Sequence, residues 1–205
     1  MTQVIDLLGY ERIAALASAL PFAPARERFI FVRHGETEGN RNRVYQFPHT
    51  PLNEAGEAQA RRAAGLLATT RIGKLIASPM ARAWRTAALV AAEHGMQPEA
   101  DGALSERFYV SLWDTPIGER FDWNLDPAGC EPLSTFVHRA ACSLIRILAE
   151  DAHDGETVVV AHGGILLVAC ALTGVSLTGE LRRNAVPLRF ERANGAWTAM
   201  ALAAS

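Results

Sequence analysis

Three observations predict an α/β fold, a three-layer α/β/α sandwich whose mainly parallel sheet is closed by an antiparallel hairpin at the C-terminus. Short apolar runs at residues 29–32, 75–77 and 157–161 are each followed by a stretch with helical spacing, the alternation that builds parallel sheets covered on both faces. Near the end, residues 187–192 and 196–202 flank Asn194-Gly195, a pair suited to a tight hairpin turn. The chain of 205 residues, 49% hydrophobic and 20% charged, is also long enough to bury a core without disulfides or a structural metal.

The elements follow in order. Residues 3–20 carry Val4, Leu7, Leu8, Ile13, Leu16 and Leu20 at roughly helical spacing and stop at Pro21 and Pro24, which predicts a leading helix and a linker through residue 27. Residues 28–205 are expected to form the one domain. Residues 29–32 enter Arg33-His34-Gly35 as the first core strand. Residues 53–70 are helical, with Asn53 placed to cap. Residues 75–77 lead into Ser78-Pro79, and Pro79 suits the first turn of a helix running to about Glu93. Residues 132–152 form an amphipathic helix with Phe136, Val137, Leu144, Ile145 and Leu148 on or near one face. A strand over 157–161, a helix over 165–172 and the hairpin complete the chain.

Composition removes several function classes. A formal net charge of −2 gives no electrostatic footprint for nucleic acid or an anionic membrane. Residues 158–175 are long and uncharged enough to mimic a membrane span, but the β-branched run Val158-Val159-Val160 and the break at Gly163-Gly164 divide them into a buried strand and a buried helix, each too short to cross. The first residues hold Asp6 and Glu11 and no basic region, unlike a signal peptide, so the expected address is the cytoplasm. Cys130, Cys142 and Cys170 are widely spaced, with no metal-ligand pattern, and read as ordinary buried thiols. Trp84 and Trp197 read as core residues, and His49, His94, His138 and His153 as surface or capping residues.

In open α/β sheets the ligand site lies beyond the carboxyl ends of the strands. Those ends hold Arg33-His34-Gly35, Ser78-Pro79 with Arg82 a helical turn on, and His162-Gly163-Gly164. Two histidines and two arginines at one mouth would make a pocket for a phosphate dianion, because guanidinium forks match phosphate oxygens and free N–H groups at helix starts add donors. Surrounding positive charge disfavours imidazolium, which keeps one histidine neutral and nucleophilic near neutral pH.

The run Arg33-His34-Gly35-Glu36-Thr37-Glu38-Gly39-Asn40 resembles the RHGxTxxN signature of the histidine phosphatase superfamily, also called phosphoglycerate-mutase-like. Further similarities follow in the family's order: residues 50–56 with Gln59, residues 78–83 with Thr86, Leu104-Ser105-Glu106, Gly129-Cys130-Glu131 with Phe136 and Arg139, and residues 161–164. Together they cover roughly residues 28–202. The resemblance implies a phosphoglycerate-mutase-like fold in which His34 becomes phosphohistidine and Arg33, Arg82 and His162 clamp the phosphoryl oxygens. Asn40 would line the same pocket, with a backbone N–H near Gly163 as a further donor. Glu106 resembles the acid that protonates the leaving alcohol and then, as base, activates water.

The implied activity is a phosphomonoesterase acting on a small, polyanionic or sugar-like phosphorylated metabolite, with no cofactor and no metal, since a loose phosphoryl-transfer transition state needs mainly positioning and charge stabilisation. Nucleic acid and membrane are not expected partners, and a homodimer stays open. Two alternatives stand beside this reading. One is a cofactor-dependent mutase, which usually reads Trp-Asn where this chain has Gly39-Asn40; the other is a catalytically silent phosphate-binding module. Departures from the family lie at residues 107–114, which lack its glycine-rich run, and at Glu131-Pro132, where a helix-starting proline replaces a serine cap. Phe108, Tyr109 and Trp113 either wall the substrate pocket or pack a loop down. Arg41, Arg43 and Arg120 either hold a second anion or are solvated. The leading helix is left with three roles: packing on the domain, capping the pocket or mediating a dimer.

Overall fold

The computed structural model describes residues 7–119, 121–149, 154–176 and 178–203. Among them a six-stranded sheet runs in the order β3-β2-β4-β1-β5-β6, formed by β1 (Arg28–Arg33), β2 (Ile72–Ala77), β3 (Glu99–Ala100), β4 (Glu156–Ala161), β5 (Pro187–Ala193) and β6 (Ala196–Ala201). β4 pairs in parallel with β1 and with β2, and β2 with β3, whereas β5 and β6 are antiparallel. The predicted sandwich and its closing hairpin are therefore both present. The hairpin turns at Asn194 and Gly195, both with positive φ, as that pair of residues permits.

Alternation along the central strands makes the layers. Ile30, Val32, Val158 and Val160 face one way, into a cluster with α3 (Glu54–Leu67) and α4 (Ala81–Glu93). Phe29, Phe31, Val159 and Ala161 face the other way, into a larger cluster with α1 (Tyr10–Ser18), α5 (Leu133–Ala149) and α6 (Gly163–Thr173). The apolar residues 158–175 are thus β4 and α6, and among the described residues no helix is long and apolar enough to cross a membrane.

Several boundaries differ from expectation. The leading helix begins at Tyr10, after the left-handed Gly9, and residues 1–6 lie outside the described residues. It packs on α5 and α6 through Ile13 and Ala17. Pro79 precedes the cap residue Met80 instead of sitting in the first turn of α4, because Ser78 and Pro79 are needed to turn the chain out of β2. α5 starts at Leu133, just after Pro132, and the expected extension past Ala149 falls outside the described residues. A short helix, α2 (Glu38–Arg41), was not predicted; Thr37 and Asn40 close a capping box around it. Trp84 is exposed on α4 and not in the core, while Trp197 packs its ring against Phe22 and Phe29. Of the cysteines only Cys170 is buried; Cys130, in the loop before α5, is partly exposed and Cys142 is exposed on α5.

Candidate active site

Strand register brings the reactive residues together. Arg33 is level with Ala161 and Ala77 with Val160, so the next residues on β1, β4 and β2, namely His34, His162 and Ser78, emerge side by side at one sheet edge. His34 N–H donates to Ala161 O at 2.9 Å and Ser78 N–H to Val160 O at 3.0 Å, extending the ladders by one step. The rings of His34 and His162 lie 5.1 Å apart. Both are buried, as is Arg82 on the first turn of α4.

The loop after β1 is pinned from all sides. Gly35 N–H donates to Thr86 Oγ1, Glu36 N–H to Gln59 Oε1, and Asn184 Nδ2 to His34 O at 2.8 Å. Gly35 also rests on the start of α3, where a Cβ would come 2.4 Å from Gly56 O, so only glycine allows this approach. Asn53 caps α3 as predicted, accepting from Gly56 N–H at 2.8 Å.

Hydrogen bonds define the imidazoles. His34 Nδ1 lies 2.7 Å from Gly35 O, and a carbonyl only accepts, so Nδ1 carries the proton and Nε2 of the neutral ring keeps its lone pair. Burial, then the charges of Arg82 and Arg33, hold the His34 pKa well below its ordinary value, against a smaller opposing effect of the Gly35 bond. His162 is depressed likewise, by burial first and then by Arg82, His34, Arg33 and Arg139. Ser78 Oγ sits 2.8 Å from His162 Nε2.

Both arginines are held by backbone on one side and unsatisfied on another. Arg33 Nη1 donates to Arg182 O at 2.7 Å, and Arg82 Nη1 to Phe47 O at 3.0 Å. Burial lowers the Arg33 pKa and brings that of Arg82 down to about 10, with Glu106 opposing in each case. Arg33 Nε, Arg82 Nε and His162 Nδ1 are buried nitrogens without a protein partner, all in one neighbourhood. Unpaired buried polar atoms are costly, and three nitrogens together make a neighbourhood suited to an anion.

Glu106 approaches from a different part of the chain. Its Oε2 accepts Gly164 N–H at 2.9 Å and its Oε1 accepts Arg107 N–H at 3.0 Å. A Cβ on Gly164 would stand 2.2 Å from Glu106 Oε1, so glycine is required there. The donor expected near Gly163 thus belongs to Gly164 and serves Glu106, while Gly163 lines the cavity beside Arg33. Behind Glu106, Arg139 grips Glu131 through two bonds of 2.6 and 2.8 Å and donates to the carbonyls of Ala103, Ser105 and Glu106. Arg107 is buried and donates to Glu131 O, Leu125 O and Asp126.

These groups open on a cavity of about 530 Å³. Arg33, His34, Asn40, Arg82, Glu106 and Gly163 line it, and His162, fully buried, has its ring directly beside that of His34. Asn40 Oδ1 is committed to Thr37 N–H, which leaves its amide nitrogen for the cavity. Phe108, Tyr109 and Trp113 all line the cavity; Tyr109 and Trp113 also pack through ring contacts, and Phe108 carries the Arg139 guanidinium over its ring. Of the arginines with two readings, Arg41 is an exposed side chain paired with Glu36 and Glu38, and Arg43 lines the cavity while its Nη2 donates to Gly118 O and Glu119 O; Arg120 lies outside the described residues. Missed by sequence reasoning were the roles of Ser78, Asn184 and Gly164 as holders of His162, the His34 loop and Glu106; Ser78 and Gly164 stand at predicted strand ends, whereas Asn184 leaves no trace in the sequence. Among the described residues no cluster of His, Cys, Asp and Glu has the makeup to hold a metal ion.

Comparison with known proteins gives a consistent placement. The family model described as "Histidine phosphatase superfamily (branch 1)" matches residues 29–203. An agropine synthesis reductase of Rhizobium rhizogenes is 32% identical over 90% of this chain and 44% of its own length, so the chain spans less than half of such relatives. A probable phosphoglycerate mutase, GpmB, of Klebsiella pneumoniae is 30% identical over 82% of this chain and 86% of its own. By structure, a mycobacterial glucosyl-3-phosphoglycerate phosphatase complexed with VO3 superposes with a TM-score of 0.71 at 24% identity, covering 88% of this chain and all of the other, a likeness of fold.

Proposed function

The chain belongs to the histidine phosphatase superfamily, and from that premise we propose that it hydrolyses a phosphate monoester through a phosphohistidine on His34, without metal or organic cofactor. The observation that carries the reading is the set of three unpartnered buried nitrogens beside a histidine whose Nε2 is bare. Arg33 and Arg82, with His162 Nδ1–H and the Asn40 amide, hold the phosphoryl oxygens and stabilise charge in the loose transition state. Ser78 O–H donates to His162 Nε2, which leaves the proton on Nδ1, facing the anion.

In the first half-reaction His34 Nε2 forms a bond to phosphorus while the P–O bond to the alcohol breaks. Protonated Glu106 gives its proton to the departing oxygen. In the second, Glu106 carboxylate takes a proton from water, the water oxygen attacks phosphorus, and the P–N bond breaks to release inorganic phosphate. Glu106 ends protonated and His34 neutral, as they began.

A mutase reading draws on the relative named for that activity; it uses the same first half-reaction and differs only in the acceptor. Here much of the cavity beyond Glu106 is walled by rings and leucines, and Arg43 on that wall spends its Nη2 on backbone carbonyls, which supports water over a doubly anionic acceptor. The test is turnover of an aryl phosphate with excess chelator by wild type and His34→Ala. Retained wild-type activity and a loss of about 10⁴-fold or more in the variant are expected. Activity that depends on added metal, or that survives in His34→Ala, overturns the reading.

A further inference from the structure

The cavity has two chemically different ends. Arg33, Asn40 and Arg82 surround His34, and Arg182 adds a cation there, its carbonyl accepting from Arg33. Past Glu106 the wall changes to Leu8, Tyr45, Trp113, Phe121, Trp123 and Leu167. The rings brace one another: Tyr45 lies 4.8 Å from Tyr109, Tyr109 5.6 Å from Phe121, and Phe121 4.8 Å from Trp123, centroid to centroid. Of the cations at this end, Arg107 is committed to Asp126 and Glu131 O, and Arg43 spends its Nη2 on two carbonyls of the protein. Glu119, on the same wall, would repel a carboxylate.

Part of this wall comes from outside the family's range. Leu8 precedes residue 29, where the family match begins, and it is tied into the distal loop. Trp123 N–H donates to Leu8 O at 2.9 Å, and Arg12 binds Asn124 O at 2.8 Å and Asp126 at 2.6 Å. Gly9, with φ of +82°, allows the contact, since a Cβ would lie 2.6 Å from Asn124 N. A volume of about 530 Å³ is far more than a phosphate fills and falls within the roughly 300–1,000 Å³ typical of pockets for sizeable organic ligands.

We infer that, on the hydrolytic reading above, this chain selects monoesters whose alcohol is a bulky, uncharged apolar or aromatic group, and that Leu8 and Trp113 are specificity-determining contacts. The polyanionic or sugar-like esters expected from the sequence would place charge or hydroxyls against rings and Glu119 with too few partners to satisfy them. An apolar alcohol loses water on entry and meets a preformed wall.

The test compares phenethyl phosphate with glycerol 3-phosphate and O-phosphoserine, all alkyl esters, so leaving-group acidity does not decide the order. Phenethyl phosphate is expected to lead in kcat/KM by at least about tenfold, through KM. In Leu8→Asp and Trp113→Ala the ratio between phenethyl and glycerol esters is expected to fall about tenfold; Leu8 is 38% exposed, so its change does not threaten the fold. A preference for glycerol 3-phosphate or phosphoserine, or an unchanged ratio in both variants, overturns the inference. Should folded wild type hydrolyse no ester, the hydrolytic reading fails separately; binding of phenethylphosphonate against methylphosphonate by calorimetry then still decides the pocket, tighter binding of the former supporting it and equal binding overturning it.

Discussion

The two ends of the cavity are built by different means. At the cradle, His34, His162 and Ser78 are each one residue past a strand, and Arg82 is in the first turn of a helix, so the sheet register places their backbone and a few side-chain bonds pin the loop. At the far end, Glu106, the ring ladder and Leu8 are held by long-range side-chain bonds: Arg139 to Glu131 and to three carbonyls, Arg107 to Asp126, and Arg12 to Asp126. One end inherits its precision from a sheet ladder buried on both faces. The other depends on three arginines for its shape, which lets it vary independently of the cradle.

Substitutions that act on one end and spare the other test this division. The largest effect belongs to the cradle: Arg82→Ala should lower kcat/KM by about 10³-fold or more and abolish vanadate protection against heat, since anion binding and transition-state stabilisation share that guanidinium. Retained vanadate binding would move the cradle elsewhere. Arg139→Lys keeps the charge but loses the fork on Glu131, and should reduce kcat about tenfold while leaving vanadate affinity within about twofold; equal losses in both would merge the two ends into one unit.

The buried histidines make a pH prediction of intermediate size. Their folded pKa values are depressed, so between those values and the ordinary histidine value of 6.5 the unfolded chain binds more protons than the folded one. Stability is therefore fully present above about pH 6.5 and falls as pH drops below it, by up to about 1.4 kcal/mol per unit for each histidine. Denaturant melts of wild type and His162→Asn from pH 7 to 5 measure it, and the variant's slope should be shallower. An identical slope would mean that His162 is not held neutral. The smallest effect is at the rim: Arg12 and Asp126 are 40% and 36% exposed, and Arg12→Ala should cost less than about 1 kcal/mol. A much larger loss in the same melts would show that the far-end network acts cooperatively.

Legibility in the sequence follows the same line. Strand ends, the Asn53 cap, the hairpin and the cradle residues were readable because each depends on neighbours within a few positions. Glu106 was found by resemblance, but the reason it stands where it does was not: Gly164 lies 58 positions away and Arg139 bonds its carbonyl from 33. Leu8 on the cavity wall and Asn184 on the His34 carbonyl, 150 positions apart in sequence, were invisible for the same reason. Short-range signals place backbone; which side chains meet across the mouth is decided by how the loops return.

The central claim, covalent catalysis at His34, is tested most directly by trapping the intermediate. Wild type mixed with an aryl phosphate, quenched within milliseconds in alkaline denaturant and digested, should yield phosphate on the peptide bearing His34, stable to base, lost in acid and absent from His34→Ala. Full turnover with no phosphopeptide at any quench time, or phosphate on another residue, would contradict it.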